Sequence, residues 1–159
     1  MKKENLIIGS DHGGFNLKNK LIDYLKELGH TIEDYGCYDE SASDYPDIAF
    51  KVAEKVASNG SFKGILVCGT GQGMAIAANK VKGIRAACCS DVYCAKMVIE
   101  HNDANILTMG ERVIDFETAK QIVNTWLDLS FKGNRHERRL NKISSYESQT
   151  HNQTTNLKH

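Results

Sequence analysis

Short apolar runs alternate along the chain with longer stretches in which apolar residues recur every three or four positions. The short runs are Leu6 to Gly9, Thr31 to Tyr35, Gly64 to Cys68, Ile84 to Cys89 and Ile106 to Met109, and they have the length of buried strands. The stretches between them read as amphipathic helices: Phe15 to Leu28, Ile48 to Ala57, Met74 to Asn79, Asp91 to Glu100 and Phe116 to Leu129. In the first helix Leu17, Leu21, Tyr24, Leu25 and Leu28 fall on one face. Strands that alternate with helices predict a parallel sheet joined by right-handed crossovers, with helices on both faces. This is an α/β fold of three layers. The alternation does not fix the order of the strands.

Pro46 suits the first turn of the second helix, where its missing N–H leaves no bond unmade. Gly133 and Asn134 interrupt the chain, and Arg135 to Tyr146 reads as a last helix. The segment SQTHNQTTNLKH that closes the chain is polar and aperiodic, so residues 1–146 are expected to form one domain and residues 147–159 a flexible tail.

Composition narrows the class. A chain of 159 residues, 41% hydrophobic and 25% charged, is the size of one globular domain with a real core. Its 20 basic residues balance 20 acidic ones, so no overall field recruits nucleic acid or an anionic membrane, and any anion binding must be local. No apolar run approaches the roughly 20 residues of a membrane span. The start, MKKENLIIGSDHGG, turns polar too soon for a secretory signal, and a cytoplasmic protein is expected. The five cysteines are odd in number and form no zinc-ligand spacing, so they read as reduced thiols. Of these, Cys37, Cys88, Cys89 and Cys94 read as small buried hydrophobes.

In open parallel sheets ligands bind beyond the carboxyl ends of the strands. That rule singles out Ser10-Asp11-His12, Cys68 to Gly73, Ser90-Asp91 and Gly110-Glu111-Arg112. Glycines in GTGQG let backbone N–H groups converge on an anion, although a tight turn also needs glycine. A dinucleotide fingerprint fails because its third glycine position is Met74 and the loop follows the third strand. A P-loop lacks its lysine, and a cysteine phosphatase loop lacks its arginine, whose place is again Met74. For Cys68 there remain proton abstraction, favoured where a helix N-terminus stabilises the thiolate, and burial at a strand end. Asp11 and His12 suit a sugar hydroxyl and a phosphate oxygen, or Asp11 caps the following helix. A phosphotransfer receiver needs an aspartate where Cys68 stands. His101 either passes protons near neutral pH or complements a helix C-terminus. In RHERR, Arg135 and Arg139 share a face, while His136 and Arg138 point elsewhere. Two such cations in a first helical turn call for an anion, either a phosphate or the carboxylates of Glu137 or Glu147.

Taken in order and at their spacing, GSDHGG, DYPD, VCGTGQGMAIAANK, GIRAA, HNDAN, GER and RHERR resemble the ribose-5-phosphate isomerase B family, from about Leu6 to Ile143. The resemblance implies a five-stranded parallel Rossmann-like sheet in an α/β/α sandwich, followed by a C-terminal helix. It implies aldose–ketose isomerisation of ribose 5-phosphate and ribulose 5-phosphate, a pentose phosphate pathway step, through a cis-enediolate without metal or organic cofactor. Cys68 would be the base, and Gly69, Gly71, Gln72 and Gly73 would supply amides to the enediolate. Thr70 would place a hydroxyl near the two sugar oxygens. Asp11, His12 and Tyr45 would contact the substrate, His101 would open the furanose ring and Asn102 would bind hydroxyls. Arg112, Arg135 and Arg139 would hold the phosphate. Sites shared across a homodimer, or a pair of dimers, are expected with it. Some relatives carry a glutamate where this chain has Met74 or Ala75, so the chain resembles the thiol-base type. Relatives acting on galactose 6-phosphate or allose 6-phosphate, and a non-catalytic phosphate- or nucleotide-binding module, are the alternatives.

Overall fold

The fold is that of a computed structural model, which describes residues 2–156, with side chains to residue 150. The strands are β1 (Asn5–Ser10), β2 (Thr31–Asp34), β3 (Phe62–Cys68), β4 (Ala86–Cys88) and β5 (Ile106–Gly110). The helices are α1 (Phe15–Glu27), α2 (Tyr45–Ser58), α3 (Gln72–Ala78), α4 (Val92–Asn102), α5 (Phe116–Asp128) and α6 (Arg135–Asn156). All strand pairs are parallel, in the order β2-β1-β3-β5-β4.

Successive side chains of a strand point to opposite faces, and the two faces bury different sets. Leu6, Ile8, Ile65, Val67, Leu107 and Met109 meet α1, α4 and α5, around the fully buried Trp126. Ile7, Leu66, Cys68 and Ile106 meet α2 and α3. The inner strands β1, β3 and β5 are therefore buried on both sides along most of their length, which is why they read as continuous apolar runs, while the edge strands β2 and β4 are partly exposed. β1 and β3 lie side by side, yet the chain leaves β1 for α1 on one face and β3 for α3 on the other. A crevice opens where the two connections part, at the carboxyl ends of β1 and β3.

Pro46 stands in the first turn of α2 as expected, although that helix begins at Tyr45. The last helix differs from its expected end at Tyr146, because α6 continues to Asn156. Its opening turns are anchored by the buried His136 and Leu140, and a helix once nucleated extends at small cost over polar residues. Farther along, the Glu147 carboxylate accepts the Gly83 N–H at 2.7 Å. The last three residues of the expected tail lie outside the described residues. Cys89 is buried, as expected, and desolvation pushes its thiol up to about 12. Cys37 and Cys88 are half-buried, and Cys94 is exposed, which corrects the reading of it as a core residue. It sits in the first turn of α4, where its N–H is fixed by Asp91 at 2.7 Å while its side chain faces outward. Among the described residues no helix is long and apolar enough to cross a membrane.

Candidate active site

Cys68 is the last residue of β3, and its side chain falls on the face covered by α2 and α3, leaving it 5% exposed. The chain then turns sharply through Gly71, whose φ of +82° is left-handed and suits glycine. That turn aims the Gly71 N–H at the Cys68 sulfur, 3.1 Å away. Two groups hold the turn from behind. The buried Thr108 hydroxyl donates to the Gly71 carbonyl at 2.8 Å, and the Cys88 thiol, pushed up by burial, lies 3.6 Å from the Thr70 carbonyl. Among the described residues the amides of Gly69, Thr70, Gly73 and Met74 have no protein acceptor, while the Gln72 amide reaches only Thr70 Oγ1 at 3.3 Å. Amides left open around one turn in this way are donors available to an anion.

The loop after β1 faces this turn. Asp11 is buried, and its Oδ1 accepts the Gly13 N–H at 2.9 Å, so the capping alternative holds for one of its oxygens. His12, next to it, is exposed and bonded to Ser43. The loop after β5 completes the edge. Glu111 N donates to the Cys68 carbonyl at 2.9 Å and Arg112 N to the Gly69 carbonyl at 3.1 Å. The Glu111 carboxylate accepts the Leu17 N–H in the first turn of α1, tying the loops after β1 and β5 together. The Arg112 guanidinium lies across the loops after β1 and β3: a Cβ on Gly69 would be 3.0 Å from Nη1, and one on Gly13 3.6 Å from Nη2. The Tyr45 ring rests on Gly73, where a Cβ would be 2.8 Å from it. Asp11, His12, Tyr45, Cys68, Gly69, Thr70, Gly71, Gln72, Gly73 and Arg112 thus gather at the carboxyl edge of the sheet.

The remaining candidates do not join them. α4 runs back from the carboxyl edge, so His101 and Asn102 in its last turn stand at the amino edge, just before β5 begins. Arg85, just before β4, fixes that end through Nε to the Asn102 carbonyl at 3.0 Å and Nη2 to the Asp103 carbonyl at 2.8 Å. α6 starts at the same edge, because Lys132 pairs with Glu100 of α4 at 3.0 Å. There the His136 ring stacks on the His101 ring, with centroids 4.1 Å apart and planes 11° from parallel. Arg135 and Arg139 flank it, exposed, and form no ion pair with Glu137, Glu147 or any other carboxylate among the described residues. Burial first, then His101 and the two arginines, hold the His136 ring below the ordinary histidine range. β5 spans the distance between the edges, and its five residues at about 3.3 Å each set them roughly 15 Å apart.

His136 and Thr108 were not among the expected site residues. His136 carried a signal, since it stands four residues before the apolar Leu140 and so shares its helical face. Asp91, considered at the end of β4, is spent as the cap of α4. A cleft of about 550 Å³ at the end of β2, between Tyr35, Tyr38, Ile48 and Lys51, contains none of the residues of either edge. No group of three or more His, Cys, Asp or Glu side chains is assembled as metal ligands among the described residues.

Comparison with known proteins agrees with this geometry. The ribose/galactose isomerase family profile matches residues 6–143. The chain is 44% identical over 147 residues to the ribose-5-phosphate isomerase B of Escherichia coli, covering 92% of this chain and 97% of that one. It resembles the structure of the ribose-5-phosphate isomerase B of Clostridium thermocellum with a TM-score of 0.90 and 51% identity, covering 92% and 99%. It also resembles that of Mycoplasma genitalium, solved with bound ribulose-5-phosphate, with a TM-score of 0.89 and 40% identity, covering 93% and 99%. By the extent of these matches and by its fold, the chain belongs to the ribose/galactose isomerase family.

Proposed function

We propose that this protein interconverts ribose 5-phosphate and ribulose 5-phosphate, with Cys68 as the base. The observation that carries the reading is the Cys68 sulfur at the rim of a turn in which the amides of Gly69, Thr70 and Gly73 lack protein acceptors among the described residues. The Cys68 thiolate takes the C2 proton of the open-chain aldose, and the C2–H electrons form the C1–C2 double bond of an enediolate. The C1 oxygen takes up the negative charge and is met by the amides of the Gly69 to Gly73 turn. The proton on the C2 oxygen passes to the C1 oxygen, and the thiol, having exchanged its proton with solvent, protonates C1, giving the ketose. A positioned base is worth about 10²–10⁴ in rate, and an oxyanion donor about 10²–10³.

Asp11, Thr70 and Tyr45 bind the sugar near the reacting carbons, and His12 and Arg112 meet its phosphate with Arg135 and Arg139. The last two, with His101 for ring opening and Asn102 for hydroxyl binding, come from a second copy of the chain, because one chain keeps them on the far edge of its own sheet. A two-fold dimer closes two such sites at once, and a pair of dimers keeps them. The five free cysteines suit the reducing cytoplasm.

The test is to incubate the protein with ribose 5-phosphate in deuterated buffer. Ribulose 5-phosphate should form with deuterium at C1, and Cys68→Ala should lose activity by about 10²–10⁴ while still binding a phosphate analogue. Faster turnover of a six-carbon phosphate, or full activity in Cys68→Ala, refutes the assignment.

A further inference from the structure

The loop between β2 and α2 approaches the site at one residue that the isomerase reading leaves unused. Ser43 touches His12 three times. Its Oγ accepts the His12 N–H at 3.1 Å, its N–H donates to His12 Nδ1 at 3.2 Å, and its carbonyl lies 3.3 Å from that same Nδ1. The loop is fixed behind it. At the start of the loop the Asp34 carboxylate takes both Lys18 Nζ, at 2.8 and 2.9 Å, and the Gly36 N–H, at 2.9 Å, and Lys18 has no exposure. Farther on, Asp39 accepts the Ser41 N–H at 2.9 Å, two residues before Ser43.

We infer that Ser43 is a positioning residue that keeps His12 a hydrogen-bond donor through Nε2, whatever the charge of its ring. A neutral imidazole carries one proton and accepts at its other nitrogen. With the Ser43 N–H directed at Nδ1, the proton of the neutral ring resides on Nε2. When the ring is protonated, Nδ1–H donates to the Ser43 carbonyl instead, and Nε2 still carries its hydrogen. The one residue thus provides the partner for Nδ1 in both states, and Nε2 is left to donate to an anion. This rests on the reading that His12 meets the sugar phosphate, and it adds which nitrogen does so and what fixes it.

Long-range ¹⁵N–¹H spectra of the His12 ring in the full chain, recorded without ligand and with inorganic phosphate, read the tautomer directly. The neutral ring of the free protein should hold its proton on Nε2, and phosphate should leave it there. Ser43→Ala frees the loop from the His12 amide, so it should show mixed tautomers and raise KM for ribose 5-phosphate about three- to tenfold with kcat within about twofold. Ser43→Thr, which keeps the hydroxyl, should restore both. A wild-type ring protonated on Nδ1, or Ser43→Ala with unchanged tautomer and KM, overturns the inference. If the wild type turns over no sugar phosphate while its tautomer is as stated, it is the proposed function that fails.

Discussion

His136 and His30 are both 5% exposed and both held below the ordinary histidine value of 6.5, with desolvation the first cause in each. Lys3 adds to the effect at His30, whose Nδ1 accepts the Glu4 N–H at 3.1 Å and whose Nε2 has no partner among the described residues. In the unfolded chain these rings take up a proton as the pH falls through 6.5, whereas in the folded protein they resist it. The unfolded state then binds more protons, and stability falls with pH. The urea midpoint should therefore be lower at about pH 5.5 than at about pH 7.5, and equal midpoints would contradict the environments described. At this scale the positions of Cys68 at the end of β3 and of Asp11 just after β1 were legible in the sequence. It was silent on Ser43 and Thr108, because their partners, His12 and Gly71, lie far away along the chain.

The boundaries of elements were legible to within a few residues where an apolar period defined them, as in α1 and α5. They shifted where local geometry decides. α3 starts at Gln72 instead of Met74 because Gly71, in its left-handed conformation, ends the turn and already serves as N-cap. This makes the link between β3 and α3 intolerant of a side chain. A Cβ at Gly71 would lie 2.8 Å from the Met109 carbonyl carbon and 2.9 Å from the Cys88 sulfur. Gly71→Ala should cost about 2 kcal/mol in urea unfolding, from the left-handed conformation and the displaced strand. It should also lower kcat by about 10² or more, since the amide aimed at Cys68 moves with the turn. A variant with wild-type stability and kcat would show that the turn has another way to close. The length of α6 was not legible, because no apolar period marks a helix extended over exposed polar residues.

Over the whole molecule, the layers and the direction of the strands followed from the alternation of elements, while their order did not, since any set of right-handed crossovers satisfies the same pattern. With the order known, the candidate residues divide between the two edges of the sheet, and this can be tested without a structure of the assembly. Chains carrying Cys68→Ala and chains carrying His101→Asn should each be nearly inactive. Mixed and reassembled in equal amounts, they form hybrid dimers with one intact site, so about a quarter of wild-type activity should return. A mixture as inactive as its components would mean that both residues serve the same chain's site, and an active His101→Asn chain on its own would mean that His101 is dispensable.

The backbone of Cys68 is fixed on both sides: β3 pairs with β1 through Val67 and with β5 through Cys68 itself, and Glu111 binds its carbonyl. In the proposed reaction, a base mounted on the central strand would have no slack with which to follow a substrate. The sugar would have to bring its carbons to the sulfur, and the interval between that atom and the second copy's arginine pair, set by the contact between the copies, would act as a ruler. Substrate length would then be measured by how the two copies meet, and altering which sugars are accepted would call for moving the arginines rather than the thiol.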